Sequence, residues 1–183
     1  MLFTGKGDDG TTSTFGCNQR ISKSSAIAEA LGTLDEVNSF LGLCKVSSKE
    51  SGFKILETSF ESLVDTAQEN LFIIQAELAG AKMTIAEEKV KAVEDIVNAI
   101  EKELPPIKTF FISGGTELAS RFDVARTLAR RAERRVIAVT EEGKQGVGKW
   151  TLAYLNRLSS LLYALARLSN HLSGIVDESP SYK

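Results

Sequence analysis

Residues 116–142 read TELASRFDVARTLARRAERRVIAVTEE, and this stretch predicts one long amphipathic helix. At 100° per residue, its apolar side chains fall on one side and its arginines on the other. The apolar side consists of Val124, Ala125, Leu128, Ala132, Val136 and Val139. The opposite side carries a narrow strip of Arg126, Arg130 and Arg134, flanked by Arg131 and Arg135 and preceded by Arg121. One face of this helix therefore packs, and the other face is cationic.

Helical periodicity extends over nearly all of the chain after about residue 24, without strand-like alternation. It predicts helices over about 24–46 and 53–82, with Ser24 or Ser25 capping the first. A capping box of Thr84 and Glu87 opens a third helix, which ends at the two prolines 105–106. The fourth helix is the one quoted above, closed by Gly143, and a fifth runs from about 150 to 172. The fold class is therefore all-α, with five helices.

Composition agrees with a single soluble globular domain: 183 residues, 43% apolar and 25% charged. We expect an N-terminal loop over 1–23, a helical bundle over 24–173 and a tail over 174–183. The net charge of -2 argues against a nucleic-acid partner. The sequence has neither a membrane-spanning nor a signal-type apolar stretch, so we expect an intracellular, cytoplasmic protein.

The residues that most often carry hydrolytic or metal chemistry are scarce. The chain has two cysteines, Cys17 and Cys44, and a single histidine, His171. These three residues cannot form a zinc cage on their own, and they suggest no disulfide framework. Metal-hydrolase, thiol-protease and serine–histidine chemistry are therefore weak hypotheses.

The N-terminal stretch 4–14 reads TGKGDDGTTST and has no periodicity. Glycine N–H groups, threonine hydroxyls and a lysine are the donors that a polyphosphate-binding loop requires. Termini of this composition are also commonly just mobile, and composition alone slightly favours that interpretation. The stretch does not match a P-loop, so a Walker-type fold is not expected.

Side chains on three helices suggest a ligand or a partner. Three guanidinium groups spaced four residues apart repel one another unless carboxylates or phosphates face them. A solvated basic face, balanced by Glu133 and other acids, is the commoner explanation for such a run. On the first helix Asp35 and Asn38 lie at the edge of the apolar stripe, and on the fifth helix Asn156 has an equivalent position. Asn156 could bind a nucleotide or satisfy a neighbouring backbone.

Four stretches in one order resemble the PduO-type ATP:cob(I)alamin adenosyltransferase family. They are 4–12 with Lys23, GTLDEVNS at 32–39, RTLARRAER at 126–134 and YLNRLS at 154–159. The resemblance runs from about Leu2 to Leu172, which is nearly the whole chain. It implies a ferritin-like, up-down five-helix bundle assembled as a homotrimer, with its sites at the subunit interfaces.

The resemblance also implies the site residues. The ATP ligands that it implies are Thr4, Gly5, Lys6, Gly7, Asp8, Thr12, Ser13 and Lys23, together with Arg130, Arg131, Glu133, Arg134 and Asn156 on the helices. On the corrinoid side it implies Phe110 and the neighbouring Phe111, with Asp35 and Arg126 joined by a salt bridge across the subunit interface. Among these, Asp35, Phe110, Arg126 and Arg130 are implied to be catalytic.

The activity that the resemblance implies is transfer of the 5′-deoxyadenosyl group of ATP to Co(I) of a corrinoid, giving adenosylcobalamin and triphosphate. Mg²⁺ would share the phosphate charge, a reductase would supply the electron and a corrinoid-using enzyme would take the product. The chain departs from the family at Ile112 and Ser113, where a leucine–proline pair is usual before the two glycines, and at Asp123, where histidine is often found. Two alternatives remain, a non-catalytic ATP-sensing bundle and a basic-helix nucleic-acid binder.

Overall fold

The computed structural model describes residues 2–14, 20–143 and 146–182, so Cys17 and the part of the predicted N-terminal loop around it lie outside the described residues. Most of the described chain is helical. The helices are α1 (Ala26–Ser51), α2 (Phe60–Leu78), α3 (Glu87–Glu103), α4 (Glu117–Glu141) and α5 (Lys149–Leu172). Two short antiparallel hairpins pair β1 (Thr11–Ser13) with β2 (Arg20–Ser22) and β3 (Lys54–Ile55) with β4 (Thr58–Ser59). The prediction of an all-α fold with five helices is confirmed.

α4 is the central helix, packed against α1 on one side and against α5 on the other. α2 packs against α1, and α3 packs against α5. The face of α4 that enters the core is rich in small side chains, namely Ala119, Ala125, Ala129 and Ala132, all fully buried. Small side chains allow neighbouring helices to approach closely. Phe122 fills the remaining space, with its ring centroid 6.3 Å from that of Phe60 in an edge-to-face arrangement.

The predicted apolar face of α4 is wrong at one position, because Val124 is exposed. The first helix also runs further than predicted. The polar stretch after Val46 was expected to end it, but α1 continues to Ser51 and ends at Gly52, whose φ is 66°. Tertiary packing extends the helix through this stretch, since Arg121 Nη1 donates to Ser47 Oγ and Ser48 is buried, although Ser48 Oγ has no hydrogen-bond partner among the described residues. The N-cap is Ser25, as predicted.

α2 begins seven residues later than expected, at Phe60, and the prediction of a start at Phe53 is wrong. The intervening β3–β4 hairpin turns through Leu56 and Glu57, whose φ angles are 47° and 64°. Two consecutive residues with positive φ are incompatible with a right-handed helix but match a two-residue hairpin turn. The Ser59 side chain then accepts a hydrogen bond from the Ser62 N–H at 3.1 Å and caps α2.

The predicted capping box at the start of α3 is wrong. Thr84 lies outside the helix, whose N-cap is Ala86 without a side-chain cap bond. The Thr84 hydroxyl instead donates to Glu77 Oε1 at 2.8 Å, and Glu77 also accepts from the Gly148 N–H at 2.8 Å. Thr84 therefore joins the loop before α3 to the end of α2.

A transmembrane span needs about 20 mostly apolar residues, and the described residues include no helix that meets that need.

Candidate functional site

In the N-terminal stretch, residues 2–14 and 20–23 form an organised hairpin. Lys23 closes it, because its Nζ donates to the Gly7 carbonyl at 2.8 Å and its N–H donates to the Gly10 carbonyl at 3.0 Å. The Lys6 N–H donates to Thr4 Oγ1 at 3.4 Å, and the Asp8 N–H donates to the Gly5 carbonyl at 3.2 Å. The structure thus brings the predicted loop residues and Lys23 together, with Thr12 and Ser13 on β1.

Arg20 is the residue of this loop that the sequence analysis missed. Its Nη2 donates to the Lys6 carbonyl and, at 3.0 Å, to the Thr11 carbonyl. Its Nε donates to Thr11 Oγ1 at 2.5 Å, and Asp9 Oδ1 lies 3.5 Å from Nη2. Asp9 also accepts from the Thr11 N–H and hydroxyl, and these bonds lower the pKa of its carboxyl. The contacts of Arg20 join residues 9 to 14 positions apart, and no sequence pattern indicates pairing at that separation.

Arg20 and Lys23 bind hydrogen-bond acceptors of the loop and so leave it with an excess of donors. Between them they bind the carbonyl oxygens of Lys6, Gly7 and Thr11. These carbonyl oxygens already accept hydrogen bonds from cationic side chains. The remaining N–H and hydroxyl groups of the loop are therefore available as donors to an anionic ligand.

Five of the six arginines of α4 divide into two sets, and Arg126 lies apart from both. The first set contacts α1: Arg131 Nη2 donates to Glu36 Oε2, Arg135 Nε lies 3.5 Å from Glu29 Oε1, and Arg121 Nη1 donates to the Leu43 carbonyl at 3.2 Å. Carboxylates of α1 therefore offset part of the charge repulsion along the helix.

The second set is open. Arg130 and Arg134 are exposed, and within the described part of the chain neither guanidinium has a carboxylate partner. The Arg134 guanidinium donates to the Arg130 carbonyl, at 3.0 Å. Of the arginines predicted to bind phosphate, Arg131 is thus engaged with α1, whereas Arg130 and Arg134 are available to a ligand.

Glu133 and Asn156, both predicted near the nucleotide, meet between α4 and α5. Asn156 Nδ2 donates to Glu133 Oε1 at 3.0 Å, and Asn156 Oδ1 accepts from Arg157 Nη1 at 2.7 Å. Arg157 Nε in turn donates to Glu94 Oε1 at 2.8 Å. Asn156 is therefore held in one orientation at an exposed position next to the open arginines. Among the described residues, no hydrogen bond or ion pair joins this region to the N-terminal hairpin of the same chain.

A cavity of about 620 Å³ lies at the other end of α4, walled by residues 107–114, α4, α5 and the C-terminal tail. Phe110 and Phe111 line it, as do Arg126 and Tyr163. Phe110 is 78% exposed, so its ring is available to a ligand. The Arg167 guanidinium lies 4.8 Å from the Phe111 ring centroid. The predicted corrinoid-side aromatic residues therefore border a mainly apolar cavity large enough for part of a bulky ligand.

Asn170 on α5 holds the wall of this cavity in place. Its Oδ1 accepts from the Thr116 N–H at 3.0 Å and the Thr116 hydroxyl at 3.3 Å. Its Nδ2 donates to the Gly114 carbonyl at 2.9 Å and to Asp177 Oδ1 at 3.1 Å. Asn170 thus ties the 110–115 segment to the start of α4 and to the tail. Asp177 also accepts from Arg167 Nε at 3.0 Å.

Arg167, Asn170 and Asp177 were not among the predicted site residues. A signal was available for the first two, because they are polar residues within an otherwise apolar run of α5, and both are buried. Buried polar groups of this kind have partners, and here the partners are loop and tail atoms.

Arg126 and Asp35 do not meet within one chain. Arg126 lies over the Tyr163 ring at 5.9 Å, and its nearest carboxylate is Asp123, with Oδ1 3.9 Å from Nε. Asp35 is exposed on α1, in a shallow hollow that it shares with Asn38 and Phe72. Asn38 Oδ1 is buried there, and no hydrogen-bond partner for it lies within the described residues. The salt bridge between Asp35 and Arg126 thus stays a prediction, which requires two chains.

The described residues, 2–14, 20–143 and 146–182, contain no group of three histidine, cysteine or acidic side chains that could hold a metal ion. Mg²⁺ in nucleotide sites commonly uses one or two carboxylates plus phosphate oxygens and water. Such a site needs no group of three protein ligands.

A family model described as cobalamin adenosyltransferase matches residues 2–169. Corrinoid adenosyltransferase PduO of Citrobacter freundii is 38% identical over 93% of this chain, and the chain spans about half the length of that relative. A corrinoid adenosyltransferase of Bacillus subtilis is 38% identical over 96% of this chain and 90% of its own length.

Solved structures agree. A variant of a PduO-type ATP:corrinoid adenosyltransferase from Lactobacillus reuteri, complexed with cobalamin and ATP, superposes with a TM-score of 0.87 at 28% identity. The match covers 99% of each chain. The sequence match and the shared fold extend over the same residues, from the N-terminal hairpin to α5. This chain therefore belongs to the cobalamin adenosyltransferase family.

Proposed function

We propose that this protein transfers the 5′-deoxyadenosyl group of ATP to Co(I) of a corrinoid. The observation that carries the proposal is the likeness, over nearly the whole chain, to a transferase complexed with cobalamin and ATP. The geometry supports it, because the chain has an organised N-terminal loop with N–H and hydroxyl donors, two open arginines and a separate aromatic-lined cavity.

The reaction is a displacement at the ribose 5′ carbon. The electron pair of Co(I) forms the Co–C bond, the C5′–O bond breaks, and its electron pair leaves with triphosphate. Cobalt is the nucleophile, so the protein needs no serine, cysteine or histidine base. The only described cysteine, Cys44, is buried, and burial raises the pKa of its thiol to about 12. The protein aligns the two substrates and stabilises the negative charge that develops on the leaving triphosphate.

The proposed ATP site has two halves. The hairpin around Lys6 and Gly7, with Lys23, binds the triphosphate from one side, and Arg130 and Arg134 bind it from the other. These halves share no hydrogen bond within the described residues of one chain, so we assign them to adjacent subunits of a homotrimer. Asp35 of one subunit and Arg126 of the next would pair at the same interface. The proposal extends to a cytoplasmic enzyme that uses Mg²⁺, receives electrons from a reductase and delivers its product to a corrinoid-using enzyme.

The test is to mix purified protein with ATP, Mg²⁺ and chemically reduced cobalamin under anaerobic conditions. We expect a light-sensitive adenosylcobalamin spectrum and an equal amount of triphosphate. ATP binding without consumption of ATP would instead support the non-catalytic ATP-sensing bundle. Strong, salt-dependent binding to DNA or RNA would support the basic-helix binder.

Replacing Gly7 by alanine is expected to raise the KM for ATP about 10-fold, because a Cβ at residue 7 would lie 3.0 Å from Lys23 Nζ and 3.3 Å from the Thr11 carbonyl. Displacing Lys23 costs part of a charge-assisted hydrogen bond. Steady-state kinetics should show an unchanged corrinoid KM. Gly42→Ala is the matched control, since its nearest non-local atom would be 3.9 Å away. Equal KM values for the Gly7 variant and the wild type would argue against a role for Lys23 in ATP binding.

Replacing Asp35 by asparagine is expected to raise the corrinoid KM on the order of 10-fold, because a charged partner of Arg126 is lost. Light scattering should show whether the oligomer is also weakened. Glu50→Gln removes an exposed carboxylate from the same helix and serves as the control. If corrinoid KM and oligomeric state are both unchanged, Asp35 is not part of the site.

A further inference from the structure

Asp123 is a charged residue in an unusual place. It lies in the second turn of α4, with its side chain 13% exposed, and it forms part of the wall of the large cavity. Its Oδ2 accepts a hydrogen bond from the Gly114 N–H at 3.1 Å. Gly114 follows Phe110 and Phe111 closely in the chain, so this bond anchors the aromatic segment to α4.

The second oxygen of Asp123 faces Arg126. Arg126 Nε lies 3.9 Å from Oδ1, and this Nε is buried without a hydrogen-bond partner in the described part of the chain. The guanidinium also lies over the Tyr163 ring on α5, with its centroid at 5.9 Å. Asp123 and Tyr163 therefore hold Arg126 at the cavity by charge and by cation–π attraction, and among the described residues no hydrogen bond engages its terminal nitrogens.

The ionised carboxylate is unfavourable in this position. Burial is the largest effect and raises the pKa of Asp123, and the nearby Asp177 carboxylate acts in the same direction. The Gly114 N–H, Arg126 and the Ser113 side chain oppose this rise only in part. A folded-state pKa above the unfolded value means that the carboxyl stabilises the fold only at low pH, and that this contribution is lost as the pH rises through the folded pKa.

We propose that Asp123 is a positioning residue for corrinoid binding, whose carboxylate fixes the Phe110–Gly115 segment and the Arg126 guanidinium relative to each other. This inference rests on the proposed function, because it assigns the corrinoid to the cavity. Asp123 sets the position of two groups that face the ligand, and the fold tolerates a buried charge to keep them aligned.

The test compares Asp123→Asn with the wild type. Asparagine keeps an acceptor for the Gly114 N–H and loses the charge that faces Arg126. We expect the corrinoid KM to rise on the order of 10-fold, with the ATP KM unchanged. The thermal midpoint at pH 7 should be equal to or above that of the wild type, and the difference should shrink as the pH falls towards about 4. If the role of Asp123 were purely structural, the variant would instead have a lower thermal midpoint, and the KM values for both substrates would change alike.

A binding measurement separates this inference from the proposed function. Cob(II)alamin is titrated into each protein and followed by its absorbance, without turnover. Weaker binding by Asp123→Asn supports the inference, and equal binding overturns it, whether or not the wild type makes adenosylcobalamin. Asp123→Ala, which also removes the Gly114 bond, should bind more weakly than Asp123→Asn. Glu87→Gln on α3 is the control, because its carboxylate forms an exposed ion pair with Lys91 outside the cavity.

Discussion

Replacing Arg130 by alanine is expected to lower kcat for adenosyl transfer by about 10²- to 10³-fold, the usual cost of losing one donor that stabilises charge in a transition state. Arg130 is exposed on α4, and its guanidinium has no hydrogen bond or ion pair among the described residues. The folded chain therefore does not need it, and its removal should leave the thermal midpoint within about 1–2 °C of the wild type. The measurement is initial-rate kinetics with reduced cobalamin, alongside thermal unfolding.

Arg135→Ala is the matched control for that variant. It removes the same group from the same helix, but Arg135 pairs with Glu29 of α1 at 3.5 Å. We expect its turnover to stay within about twofold of the wild type, because exposed ion pairs contribute little. Similar activity losses in the two variants would mean that turnover depends on the total positive charge of the helix and not on Arg130 in particular. Near wild-type activity in Arg130→Ala would remove Arg130 from the triphosphate site.

Replacing Gly115 by alanine is expected to lower the free energy of unfolding by about 3 kcal/mol or more. The φ of Gly115 is 97°, which a side chain rarely adopts, and an added Cβ would lie 2.7 Å from Asn170 Nδ2 and 2.8 Å from its Cγ. Asn170 would have to move, and its four hydrogen bonds to Thr116, Gly114 and Asp177 would be disturbed. Urea unfolding followed by circular dichroism measures the loss.

Gly114→Ala separates backbone strain from the collision with Asn170. Gly114 also has a positive φ, 129°, but an added Cβ there would meet nothing within 4 Å. We expect this variant to lose about 1–2 kcal/mol from backbone strain alone. The excess loss in Gly115→Ala then reports the displacement of Asn170. If the free energy of unfolding falls by the same amount in both variants, the close contact with Asn170 does not contribute to the loss.

The helices could be predicted from sequence because periodicity reports burial directly. Leu34, Val37, Leu41 and Cys44 recur at steps of three and four, and all four are fully buried on α1. The β3–β4 hairpin could not be predicted in the same way. Strands of two residues are too short to show alternation, and the turn at Leu56 and Glu57 lacks the glycine or asparagine that usually marks positive φ.

The candidate site was only partly predictable. The resemblance indicated Lys23, Glu133 and Asn156, and the structure brings the last two together. The residues that hold the site in place, Arg20 and Asn170 above all, act through loop carbonyls and backbone N–H groups. Those partners lie far away in the sequence and have no residue-specific pattern, so only the folded chain reveals them.

The packing order of the helices has a consequence for biosynthesis. α1 is made early, but it packs against α4 as well as against α2, and α4 ends only at Glu141. A ribosome adds ~5–20 residues per second, so the α4-facing side of α1 waits seconds for its partner. During that time apolar side chains of α1 are open to chaperones and to other nascent chains. Synonymous codons that change translation speed between α2 and α4 should therefore alter the yield of folded protein without changing any residue.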